Sequence, residues 1–179
     1  MSAAAARRRK QLAARKNEQD VIGTELKKIL DENDELSEAS AYEALQLAQS
    51  SIRKKVKNNE FESACELSYS TSLSLLQKNR VSVASQLLKL CVGVLKETHT
   101  EESDIWIERI VELHKAHTTA MQSLSGAEAL RLERLQKDWL LEAISWSSDI
   151  GTVKYGHSKL HELCGHQYWK LQGIEEESD

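Results

Sequence analysis

A chain of 179 residues with a formal net charge of −4, no proline and only seven glycines is rich in Leu, Ala, Glu, Lys and Gln, which points to helix and leaves little turn chemistry for β-hairpins. At that length a domain buries roughly 70% of its unfolded surface, so neither a metal nor a disulfide is needed to hold it together. No apolar run approaches the roughly 18 residues that span a bilayer, and no secretory signal is present, so a cytosolic chain is expected.

The chain opens on Arg7, Arg8, Arg9, Lys10, Arg15 and Lys16, with no acid among its first 16 residues. Runs of like charge mark solvated ends, so residues 1–19 are expected to form a frayed or disordered basic tail. An Arg-rich, acid-free start is also the composition of a mitochondrial transit peptide, although its apolar content here is mostly alanine. No aromatic residue lies in the run to stack on bases, which argues against nucleic acid as a partner. A helical domain is expected over 20–172, followed by an acidic tail over 173–179.

Ile22, Leu26, Ile29, Leu30 and Leu36 give the first segment a helical stripe on a charged surface, the pattern of an outer helix buried on one face. Ser37–Ser40 read as a connection. A second helix is expected over 41–57, with Tyr42, Leu45, Ala48 and Ile52 inward and the basic residues Arg53, Lys54, Lys55 and Lys57 mostly outward. Asn58-Asn59 breaks it. Asn59 with Glu62 predicts an N-cap pair that opens a third helix near Glu60, whose stripe is Phe61, Ala64, Cys65, Tyr69, Leu73 and Leu76. The segment 81–96 is apolar on two sides and predicts neighbours on both. Ser103 caps a helix carrying Trp106, Ile110, Leu113 and His117. Ser125 with Glu128 predicts a capping box before Leu132, Leu135, Trp139, Ala143 and Trp146. A last helix is expected over 157–171, with Leu160, Leu163, Cys164, Tyr168 and Leu171 inside. The helices, about seven, recur about every 20 residues. That spacing predicts an all-α fold, an α-solenoid of stacked antiparallel hairpins (TPR-like), with a compact bundle as the competing architecture.

Chemistry is sparse. Cys65, Cys91 and Cys164 are odd in number, widely spaced and set among apolar positions, as buried thiols are. His161-Glu162 invites comparison with H-E-x-x-H zinc proteases, but the next histidine, His166, lies about 140° away around the helix, whereas His157 and His161 are about 40° apart. A metal shared by those two would need a ligand from elsewhere, and His114 and His117 have no suitable carboxylate beside them. No P-loop, G-x-G-x-x-G or G-x-S-x-G is present. No catalytic residue, cofactor or metal is expected. The chain reads as a binding scaffold.

The stretch Trp146-Ser147-Ser148, then Gly156-His157-x-x-Leu160-His161-x-Leu163 and Trp169, together with Tyr42-Glu43-Ala44-x-Gln46 and Ala64-x-Glu66-Leu67-x-Tyr69-Ser70, resembles the N-terminal half of the Golgi to ER traffic protein 4 family over about residues 20–172. The resemblance implies a non-enzymatic cytosolic scaffold that serves the targeting of tail-anchored proteins to the ER membrane and binds the targeting ATPase of the guided-entry pathway through its first helices. By register that surface falls on Gln46, Gln49 and Lys54, with Gln49 where the family tends to have arginine. The ubiquitin-like adaptor and the BAG-family chaperone complex are implied for the full-length family, whose solenoid is about twice as long. Ser158 stands where the family usually has proline. The same resemblance makes Trp146, Gly156, His157, Leu160, His161 and Trp169 structural family markers. A second reading is a generic helical-repeat interaction module, mitochondrial if the first 16 residues are a transit peptide.

Overall fold

The computed structural model describes residues 22–31 and 35–176, with side chains as far as Gly173. The basic run of 7–16 and the acidic run of 175–179 lie outside the described side chains. Among the described residues there are seven helices and no strand: α1 (22–31), α2 (Glu38–Lys57), α3 (Phe61–Gln77), α4 (Val81–Glu97), α5 (Asp104–Met121), α6 (Gly126–Ile150) and α7 (Ser158–Glu176). They pack as stacked helical hairpins in two layers. α2, α4 and α6 lie side by side in one layer, α3, α5 and α7 in the other, and α2–α3, α3–α4 and α6–α7 close across them. α1 joins the second layer, where its buried Leu26 and Leu30 line a groove with Leu67, Thr71 and Ser74 of α3.

Three of the turns are copies of one another at intervals of 20 residues. Asn59, Asn79 and His99 sit in the left-handed region at φ 61°, 56° and 49°. The amide of each closes on the carbonyl three residues back, and the next amide closes on the carbonyl five residues back (Glu60 on Lys55, Arg80 on Leu75, Thr100 on Leu95). This is the hydrogen-bond pattern that ends a helix on a left-handed residue, and asparagine tolerates it better than most side chains. The expected Asn59–Glu62 cap pair is therefore corrected. Asn59 terminates α2, and Glu60 precedes α3 without a side-chain cap.

Ala44, Ala64 and Ala84 fall at the same 20-residue interval and are all fully buried. A methyl group at the closest line of approach lets helix axes come near each other, and no room remains there for an aromatic ring. Tyr42, expected inside, is 41% exposed for this reason, and Phe61 is likewise displaced to the surface. α3 instead buries Ser68, Thr71 and Ser72; Ser68 and Ser72 donate to carbonyls of their own helix (Cys65 at 2.8 Å, Ser68 at 2.7 Å), so they pack much as alanines would.

α4 bears out its two apolar faces, touching α2, α3, α5 and α6. Ser37 and Ser103 cap α2 and α5 through side-chain oxygens that accept the amides of Ser40 and Trp106, so α2 begins at Glu38, three residues before its expected start. Ser125 makes no such bond, because the left-handed Gly126 (φ 70°) intervenes before the first regular turn of α6. α7 buries Leu160, Cys164, Gln167 and Leu171, and Tyr168 turns outward over Lys137. Between α3 and α5 the Arg109 guanidinium is held by the rings of Tyr69 (4.7 Å) and Trp106 (4.6 Å) and by the Glu66 carboxylate (2.7 Å). All three cysteines are buried and free, and burial pushes the Cys91 thiol up to about 12, which leaves it inert.

Candidate functional site

The corner between α6 and α7 is built by Trp146, Ser147 and Gly156. Trp146 is fully buried at the end of α6, and its Nε1–H donates to the Thr100 carbonyl at 2.9 Å, tying α6 to the turn after α4. Ser147 Oγ donates to the Ile144 carbonyl (3.0 Å) and accepts the His157 amide (2.9 Å). Gly156 is left-handed at φ 85°, and a Cβ there would lie 2.6 Å from Ser147 Oγ and 2.8 Å from the Ile144 carbonyl oxygen. Glycine is required on both counts.

The two corner histidines serve the backbone. His157 Nδ1 accepts the Lys159 amide at 3.2 Å, which caps the start of α7, and His161 Nε2 donates to the Tyr155 carbonyl at 2.6 Å. Each thus gives a ring nitrogen to the chain rather than to a shared ion. Among the described residues no group of three or more His, Cys, Asp or Glu side chains is placed to hold a metal. Leu160 is buried below them. Trp169 does not belong to the corner: it projects from the outer face of α7, 80% exposed.

The residues expected to bind a partner lie on α2. Gln46 is exposed, while Gln49 and Lys54 are half-buried. At 100° per residue Gln46, Gln49, Arg53 and Lys57 fall within about 80° of one another, whereas Lys54 lies about 140° from Gln49, on the other flank. Arg53 and Lys57 instead rim a groove between α2 and α4 whose apolar wall is Ile52, Val56, Leu90 and Val94. Neither has an ion-pair partner among the described residues. Two basic residues of α4 in the same layer are engaged, Lys89 with Glu142 (3.6 Å) and Lys96 with Asp149 (2.9 Å), while Lys55 lies on the opposite side of α2 and pairs with Glu60 (3.5 Å).

A buried polar layer lies between α4, α5, α6 and α7, of which only His117, on the stripe of α5, carried a sequence signal. Ser85 Oγ donates to the Val81 carbonyl, so at 3.0 Å it accepts from His117 Nε2. Gln136 Nε2 reaches His114 Nδ1 (2.9 Å) and Thr118 Oγ1 (3.0 Å). The Glu133 carboxylate, buried in α6, accepts from Gln167 and Lys170 of α7. Burial lowers both imidazoles to about 4; for His114, Glu133 opposes this and Lys170 adds to it, and for His117 the neighbouring His114 adds to it while Gln136 opposes. In the unfolded chain both titrate near 6.5. Their contribution to stability is therefore complete above about pH 6.5 and is lost as the pH falls toward 4. The melting temperature is expected to drop between pH 7 and pH 5, less steeply in His117→Gln, and a flat profile would remove the two imidazoles from the account.

Stacked helical hairpins with an open, partly basic face place the chain among the helical-repeat proteins. It belongs to the Golgi to ER traffic protein 4 family, whose model matches residues 58–178. Similar relatives are the Golgi to ER traffic protein 4 homologs of Oryzias latipes, 27% identical over 75% of this chain and 38% of that protein, and of Gallus gallus, 27% identical over 72% and 37%. The fold resembles the crystal structure of C. therm. Get4 with a TM-score of 0.67 at 18% identity, over 88% of this chain and 46% of that one. The chain thus spans less than half the length of these proteins. Gln46, Gln49 and Lys54 precede the stretch matched by the family model.

Proposed function

We propose that this chain is a non-enzymatic cytosolic scaffold in the targeting of tail-anchored proteins to the ER membrane. Its stacked hairpins are the opening part of a TPR-like α-solenoid, and its partner is the targeting ATPase, bound across the outer face of α2 and the α2–α4 groove. Family membership supports the pathway. The observation that carries the surface is the pair Arg53 and Lys57, which have no ion-pair partner among the described residues and stand beside the half-buried Val56 and Leu90. An acidic, part-apolar patch on the partner fits that chemistry. Gln46 and Gln49 extend the surface along α2, and Lys54 flanks it.

Capture of the purified ATPase by the tagged chain at low salt tests the reading. Arg53→Glu with Lys57→Glu is expected to weaken capture about tenfold or more, since exposed charge pairs contribute about 0.2–1 kcal/mol each and their reversal adds repulsion. Lys54→Glu should weaken it less. Failure of the unaltered chain to capture the ATPase at low salt overturns the proposal, and equal capture by the double variant moves the site elsewhere.

A further inference from the structure

α7 packs on α5 and α6 through the side that carries Leu160, Cys164, Gln167 and Leu171. Its opposite side faces solvent, and there Trp169 is 80% exposed, more than any other large apolar side chain among the described residues. The end helix of a stacked array ordinarily presents a polar outer face. This one presents an indole, a large apolar surface to leave in water. Gly165 and Gly173 stand one turn before and one turn after it, and at 100° per residue the three fall within about 80° of arc. Both glycines are exposed, a Cβ added to either would meet no atom within 4 Å, and neither has a positive φ. The outer face of α7 is therefore a ridge with an open notch about 6 Å to either side. Within the fold, small residues mark where a second helix comes close, as the fully buried Ala44, Ala64 and Ala84 do. On α7 small residues stand at the outer surface instead.

A ridge and a notch one turn apart on the same face are complementary to a second copy of themselves. When two such helices run antiparallel about a two-fold axis level with Gln167, each Trp169 meets the Gly165 of the other copy, as an isologous contact requires. The same register sets each exposed Glu162 level with Gln172 of the second copy, so the two carboxylates stand about 15 Å apart along the helices. Parallel pairing about a two-fold axis sets identical residues level, tryptophan against tryptophan and Glu162 against Glu162, and leaves the notches unfilled. Shape and charge both favour the antiparallel pair.

We propose that this face is an interface between two copies of the chain, in which α7 packs antiparallel on α7 and the Trp169 of each copy seats in the Gly165 notch of the other. The two indoles withdraw about 300–500 Å2 of aromatic surface from water. A single helix pair buries less than the roughly 1,200 Å2 that separates weak contacts from standard interfaces, so the dimer forms at concentrations on the order of 10–100 μM. It lies on the far side of α6 and α5 from the α2–α4 groove, which stays open in both copies.

Sedimentation velocity of the full chain between about 5 and 500 μM is expected to show a mass that rises from that of the monomer toward twice that value and no further, because a two-fold contact closes on itself. Trp169→Ser is expected to weaken association at least about tenfold, as loss of a central aromatic anchor does. Gly165→Leu is the sharper variant. It adds apolar surface to the face, so unspecific adhesion would grow, yet a leucine fills the notch and should weaken the dimer about as much as loss of the indole. Both positions are exposed, so neither change is expected to lower the melting temperature of the dilute chain. A parent that stays monomeric throughout the series overturns the proposal. So does association that is undiminished or stronger in Gly165→Leu, which would make the contact mere adhesion of the indole, and so do species larger than a dimer. If one variant does not fold, the other decides together with the parent's concentration series.

Discussion

Replacing Trp146 by alanine is expected to lower the unfolding free energy by about 3–5 kcal/mol, the range for removing a buried tryptophan. The side chain is fully buried, and its indole N–H is bonded to the Thr100 carbonyl. Thr100 is itself the residue whose amide closes the turn after α4 on Leu95. Alanine would leave a cavity between the end of α6 and that turn, together with a part-buried carbonyl that has lost its donor. For a chain of this size the loss corresponds to roughly 10 °C or more in melting temperature. Trp146→Phe keeps most of the apolar area and should lose about 1–3 kcal/mol, the share of the unpaired acceptor. Urea unfolding followed by far-UV circular dichroism measures both. An alanine variant within about 0.5 kcal/mol of the parent, the range of ordinary surface changes, would show that Trp146 does not anchor the corner.

The second large effect is expected at Gly156. Alanine there meets a left-handed backbone and two close atoms, Ser147 Oγ and the Ile144 carbonyl oxygen. Backbone strain alone costs about 1–3 kcal/mol. The steric conflict adds to it, because Ser147 Oγ is the acceptor for the His157 amide and any shift of it breaks the link between α6 and α7. Gly93→Ala is the control. That glycine sits within α4, has no atom within 4 Å of the added methyl and has a right-handed φ, so its melting temperature should stay level or rise. Equal melting temperatures for Gly156→Ala and the parent would mean that the corner is looser than its geometry.

Much of the fold was legible in the sequence because helix number, spacing and punctuation are local properties. Ser103 marks a helix start, the doubly apolar stretch of α4 announces a central helix, and a period near 20 residues follows from the repeated turns, whereas Ser37 read as part of a connection and proved to be a cap. The errors have common physical causes. Asn59 is a good residue both to begin a helix and to end one, and only the hydrogen bonds of Asn59 and Glu60 back to α2 decide between the two. Tyr42 and Phe61 are apolar at helical spacing, yet small residues occupy the lines of closest approach, and in α7 the inner face is taken by Leu160, Cys164, Gln167 and Leu171 while Tyr168 lies outside. In the site, the direction of Lys54 depends on where α4 lies against α2, which no local pattern records. His117 stood on the apolar stripe of its helix, but its polar layer with Glu133, Gln136 and Gln167 was invisible because those groups look like surface until residues 22 to 34 positions away satisfy them.

The central position of α4 has a bearing on how this array comes apart. In a linear stack with contacts between neighbours alone, repeats detach one at a time from either end. α4 touches α2 and α6 within its own layer and α3 and α5 across it, so four of the other helices lose a packing surface when it leaves. Opening that starts at α1 or at α7 halts at this shared member until enough free energy is supplied to release both sides together. The stack therefore unfolds around a single cooperative hub, with α1 and α7 as its fraying margins.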